Sequence, residues 1–257
     1  MSLDSRFLRR LLVPLALLAL WEISARLGYV NRRFFGCPSD IVTSLYVLAT
    51  QKQLLHNLAV SLWRALAGLA IGGSLGLIFG LLVGLSQRAE DLFDSTFQAV
   101  RTLPLLGLVP LFILWFGLGE TPRVLLIALG SFFPIYINVF KGVRGVDARL
   151  VELALSYGLD RRRLIRDVIL PGALPSMLVG FRYSLGIAWL CLVIAEQVNA
   201  TSGLGWIINE ANALAQTAII MTALVLYAVI GILADVLVRA IERRSLGWQR
   251  AFDGDLR

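Results

Sequence analysis

The sequence predicts an all-α integral membrane protein with six membrane-crossing helices, and three observations carry that reading. Charged residues make up 16% of the 257 and hydrophobic residues 58%, whereas a soluble domain carries about 25% charged. Apolar runs fall near 11–28, 58–85, 97–117, 124–141, 177–195 and 218–240, each close to or beyond the roughly 18 residues that mark a candidate span. The 24 basic residues, 22 of them arginine, gather in alternate segments between those runs. Segments 1–10, 86–96, 141–176 and 239–257 hold sixteen of them, against five (Arg26, Arg32, Arg33, Lys52 and Arg123) in the opposite set. Positive loops stay inside, so both termini and segment 141–176 are expected in the cytoplasm. The net charge of +7 is then a matter of topology and calls for no nucleic acid.

The first run follows a basic flank and resembles a signal peptide over Leu11–Leu20. Trp21-Glu22 stands where a small-residue cleavage site belongs, so the run reads as a retained anchor. It is the weakest span, because Glu22 and Arg26 lie in its outer third and must snorkel to the interface. Segment 29–57 is expected outside, with Pro38-Ser39-Asp40 opening an amphipathic Ile41–Leu55. In the second run Gly68, Gly72, Gly76, Gly80 and Gly84 recur every four residues. Such a stripe lets backbones approach closely in lipid and predicts a central packing helix. Its 28 residues span about 42 Å against a core of about 30 Å, so it must tilt or protrude.

The third run is punctuated by Pro104, Gly107 and Pro110. Prolines free backbone carbonyls, which membrane proteins tolerate where the chain is buried or lines a wet cavity. Pro104 and Pro110 are therefore candidates for a substrate path, with Asn138, near Pro134 in the fourth run, as a weaker one. The fifth run begins after Pro175 and ends near Glu196. Segment 197–217 reads as a turn and a short interfacial helix with Trp206 at headgroup level; Asn199-Ala200-Thr201 is too short a signal to use. Arg64, Arg101 and Arg182 lie in or near span ends, where an ionisable residue is a site candidate by default. Arg64, toward the outside, is the preferred contact for an incoming anion, while Arg101 and Arg182 are expected to snorkel.

Residues 147–176 form a polar, arginine-rich interruption between the fourth and fifth runs. Asp147 suits an N-cap, and Leu150, Leu153, Ala154 and Tyr157 recur at helical spacing. Gly158 fits the left-handed position just past that helix. A second helical segment from Arg161 is expected to stop at Pro171, giving two short angled helices that project as a docking knob.

Glu152, Ala154, Gly158, Val168 and Leu170-Pro171 match the pattern E-A-A-x3-G-x9-I-x-L-P, with apolar departures at Leu153 and Val168. The pattern resembles the coupling loop of ABC importer membrane subunits. Stretches 61–81, 109–120, 129–138, 157–182 and 234–243 look very like the aliphatic sulfonate permeases, a branch shared with taurine, nitrate and bicarbonate permeases. The resemblance implies a type I importer permease fold with cytoplasmic coupling helices, in which 1–257 is one transmembrane domain with core 58–240 and coupling loop 147–171. It assigns ATPase coupling to Glu152, Leu153, Ala154, Tyr157, Gly158, Leu170 and Pro171. The implied partners are a second permease copy, two cytoplasmic ATPase subunits, a periplasmic or lipid-anchored substrate-binding protein and membrane lipid. The implied location is the bacterial inner membrane.

Only Lys52 and Lys141 are available for a phosphate-binding loop, and neither precedes Ser or Thr, so G-x-x-x-x-G-K-[ST] is absent. ATP and Mg therefore belong to the partner ATPase, and no cofactor is expected in this chain. One histidine, His56, and two distant cysteines, Cys37 and Cys191, give no metal spacing and no disulfide. No triad or carboxylate pair supports catalysis. A stand-alone secondary transporter is the alternative. It calls for matched repeat halves and acidic residues at mid-membrane; no such repeat is visible, and Glu22 and Asp235 lie toward span ends.

Overall fold

A computed structural model describes residues 3–29, 31–51, 54–198 and 200–245. Lys52, Asn199, Arg250 and Arg257, which enter the reading above, lie outside them. Every regular element among the described residues is helical. The helices are α1 (Leu3–Arg26), α2 (Arg32–Phe35), α3 (Pro38–Gln51), α4 (Leu54–Leu85), α5 (Gln87–Arg101), α6 (Leu105–Phe116), α7 (Glu120–Arg144) and α8 (Ala148–Ser156), followed by α9 (Arg161–Gln197), α10 (Leu204–Ala213) and α11 (Thr217–Ser245). The chain forms two compact units, Met1–Ser61 with Asn199–Val229, and Leu62–Val198 with Ile230–Arg257.

Among the described residues four helices are long and apolar enough to cross a membrane: α4, α7, α9 and α11. They contain the predicted runs at 58–85, 124–141, 177–195 and 218–240. The interruption expected in the run at 97–117 is present: the chain divides there into α5 and α6, which meet at 100°. Pro104 (φ −69°, ψ 115°) is extended and caps α6, so the helix cannot pass through it. Gly107 and Pro110 stay inside α6, whose 12 residues reach about 18 Å, short of a bilayer on their own. Counting the bent pair as one span gives five. The first run is helical as α1, but each 18-residue window within Leu3–Arg26 carries three or four charges, more than a clear span tolerates.

In the larger unit α7 is the central helix. A methyl placed on Gly68 would lie 2.5 Å from Ile127 Cβ, on Gly76 2.6 Å from the Phe132 carbonyl oxygen, and on Gly80 2.7 Å from Val139 Cβ. One on Gly72 would run into the Ala128 carbonyl. The stripe is thus the face along which α4 lies against α7. On the other side, a methyl on Gly180 of α9 would lie 2.6 Å from Asn138 Cβ, and one on Gly130 2.6 Å from Cys191 Sγ. Ser184 Oγ donates to the Ser131 carbonyl at 2.9 Å across the same seam. Aromatic rings fix α5 to this core. Phe97 packs edge-on against Phe79, Phe132 and Tyr136 with centroids 5.0–5.3 Å apart, and Tyr136 Oη donates to Asp94 Oδ1 at 2.8 Å.

The smaller unit is tied by side chains that cap helix starts. Glu22 accepts from the Ser39 amide at 3.0 Å, at the N-terminus of α3. Asn57 Oδ1 and Ser61 Oγ accept from the Gly203 and Leu204 amides at 2.8 and 2.9 Å, satisfying the start of α10. Leu204, Ile207, Ile208 and Ala211 of α10 are buried and Trp206 half-buried. The short helix in 197–217 is real, but it is packed into protein and does not simply rest on a surface.

The candidate coupling loop and the buried ion cluster

The loop begins where α7 ends at Gly145. Asp147 caps α8, its carboxylate accepting from the Arg149 amide at 2.9 Å, and Gly158 follows α8 with φ +76°, the left-handed turn its sequence position calls for. The second half of the expected knob is corrected. Pro171 does not end a short helix, because Arg161–Gln197 runs as one helix of 37 residues. A π-helical stretch, Leu164–Ile169, precedes Pro171, with the Leu170 amide reaching back to the Ile165 carbonyl. The wider turn lets the missing proline donor fall where the hydrogen-bond ladder is already shifted. So α8 is the one short helix of the loop, joined by a tight turn to the base of a membrane helix.

Its exposed face is apolar. Leu150, Leu153 and Leu155 are each 53% exposed and Tyr157 79%. Ala154 is buried, and Glu152 is exposed with no hydrogen bond or ion pair from its side chain among the described residues. Leu170 is half-buried and Pro171 exposed. Leucines turned outward on a polar, arginine-flanked loop need a surface to cover them.

Of the path candidates, Arg64 has the most elaborate surroundings. It is fully buried, with Nε 2.5 Å and Nη2 2.7 Å from the two Glu120 oxygens and Nη1 2.7 Å from Glu196 Oε1. Arg123 Nη1 donates to Glu120 at 3.0 Å. The guanidinium therefore bridges α4, the first residue of α7 and the end of α9, and an anion reaching it must displace a carboxylate. Pro104 and Pro110 are exposed. Asn138 Nδ2 donates to the Pro134 carbonyl of its own helix at 2.8 Å. Arg182, expected to snorkel, instead pairs with Asp235 at 3.0 Å, and Arg239 shares that carboxylate.

Sequence reasoning missed Glu120 and Glu196. The available signal was that each ends an apolar run on the side where Arg64 sits, so three opposite charges converge at one level. Among the described residues no group of three or more His, Cys, Asp or Glu could hold a metal.

Long apolar helices packed by small residues define a multi-pass membrane protein. Residues 72–246 match the family described as binding-protein-dependent transport system inner membrane component, and the chain belongs to it. It is similar to the aliphatic sulfonates transport permease protein SsuC of Bacillus subtilis (strain 168), 43% identical over 96% of this chain and 90% of the relative. The SsuC of Escherichia coli (strain K12) is 45% identical over 93% of this chain and 91% of that protein. Among solved structures, the inward-facing MetNI methionine ABC transporter matches with a TM-score of 0.61 at 19% identity, covering 76% of this chain and 99% of that one. The chain is an all-helical permease subunit of a binding-protein-dependent ABC transporter in the inner membrane. It carries no ATPase activity and no cofactor of its own, and it works with an ATPase and a binding protein.

Proposed function

We propose that this permease imports aliphatic sulfonates, and that α8 takes the stroke of the ATPase through Glu152, Leu153, Ala154, Tyr157 and Gly158, with Leu170 and Pro171 just past the π-helical turn of α9. The observation that carries the coupling reading is the exposed apolar face of α8 around a carboxylate without a partner among the described residues. A groove in the ATPase would bury those leucines at roughly 1.5–3 kcal/mol each. Motion of α8 passes directly into α9 because Tyr157–Asp160 is the whole connection.

The working assembly is two permeases and two ATPases, served by a periplasmic or lipid-anchored binding protein. Each permease is one functional domain over 1–257, with core 58–240, six spans including α1, and both termini cytoplasmic. The sixteen-to-five asymmetry of basic residues supports that orientation. The sulfonate cargo is supported by the names of the two relatives at 43% and 45% identity. The test is transport by the reconstituted complex with its binding protein, across alkanesulfonates, taurine, nitrate and bicarbonate. Import of alkanesulfonates above the others is expected; preference for taurine, nitrate or bicarbonate moves the chain to another member of the same branch.

A further inference from the structure

Arg64, Arg101 and Arg182 all lie within or beside the apolar runs, and their surroundings differ. Arg64 has all three guanidinium nitrogens on Glu120 and Glu196. Arg182 is bound to Asp235. Arg101, the last residue of α5, is exposed and makes no side-chain hydrogen bond or ion pair among the described residues. It lines a cleft of about 310 Å³ beside the α5–α6 bend, and it is the one charged residue of that lining. The other walls are apolar and include Val100 of α5, Leu105 and Leu108 of α6, Phe133 and Pro134 of α7, and Ile187 of α9.

We propose that this cleft is the cargo site within the permease, with Arg101 holding the sulfonate head and the alkyl chain lying against Leu105, Leu108, Phe133 and Ile187. The proposal rests on the sulfonate reading above. A sulfonate carries one negative charge over three acceptor oxygens, which suits a planar guanidinium fork. The rest of the molecule is a short alkyl chain, which suits walls without polar groups, and the volume is in the range of small-molecule pockets. An unpaired cation at the edge of such a cleft attracts an amphiphilic anion and leaves a cation or a neutral sugar without a partner. One wall, Ile187, stands on the helix that begins at the coupling loop, so displacement of α8 alters the cleft directly.

The experiment uses the full complex of permease, ATPase and binding protein in proteoliposomes, with methanesulfonate and hexanesulfonate as cargo. Arg101→Gln is expected to cut import of both by roughly 10- to 100-fold, the value of a charged hydrogen bond, in complexes that assemble with normal stoichiometry. Arg101→Lys, which keeps the charge but loses the fork, is expected to recover only part of that loss. Leu108→Trp, which fills the cleft, is expected to depress hexanesulfonate import at least about tenfold more than methanesulfonate import, since each buried methylene is worth roughly fourfold. Wild-type import by the Arg101→Gln complex, or an equal loss for both chain lengths in Leu108→Trp, overturns the site while leaving the sulfonate reading intact. A wild-type complex that imports neither sulfonate overturns the reading and this site together.

Discussion

The seam between α4 and α7 and the loop around α8 are built on opposite plans. Along the seam, glycines remove side chains so that one backbone rests on the next; a single added methyl at Gly68, Gly76 or Gly80 would come within 2.7 Å of α7. Around α8, leucines and a tyrosine are retained but face outward, and nothing lies within 4 Å of a methyl placed on Gly158. The first plan makes a rigid unit, because association in lipid depends on close packing. The second leaves an apolar face uncovered, where the proposed ATPase contact would sit. A transporter driven from outside the membrane needs both: a stiff body to be moved, and an uncovered handle.

Substitutions sharpen this contrast, and the largest effect belongs to the seam. Gly72→Ala drives a methyl into the Ala128 carbonyl, where backbone cannot yield cheaply. We expect a loss of about 3 kcal/mol or more, read as failure to purify folded permease, with Gly186→Ala as the harmless counterpart because nothing lies within 4 Å of it. Next is the ion cluster. Arg64→Ala removes the arginine partner of the fully buried Glu196 carboxylate, at a cost of about 3–5 kcal/mol, measured as a lowered Tm in detergent. The double variant Arg64→Met with Glu196→Leu removes both charges and should recover much of that loss. If the single and double variants are equally unstable, the pair is not what holds α4 to α9. Smaller again is Gly158→Ala. With no steric neighbour its cost is the left-handed backbone alone, about 1 kcal/mol, and it should disturb coupling more than Tm.

Most of the fold was legible because membrane helices announce themselves by composition and the glycine stripe by period. The apolar runs marked α4, α7, α9 and α11 and the five glycines marked a packing face, although not which helix it meets. One failure is instructive. Pro104 and Pro171 both read as helix breakers, yet the first breaks its helix and the second does not. What decides is the geometry around each: an extended residue at Pro104, a π-helical turn before Pro171. The loop's motif was plain in sequence, since its residues lie within one stretch of chain. The Arg64 cluster was not, because its members stand 56 and 132 positions apart and only packing brings them together.

The central claim, that α8 is the handle, is tested most directly by Glu152→Lys. The substitution is on an exposed residue without a partner among the described residues, so folding stability should change by less than about 0.5 kcal/mol. The measurement is recovery of wild-type ATPase with the purified permease, together with cargo-stimulated ATP hydrolysis by the reconstituted complex. The account predicts a normal Tm with at least tenfold weaker ATPase recovery, about 1.4 kcal/mol of docking energy, and matching loss of stimulation. Full recovery and undiminished stimulation would contradict it.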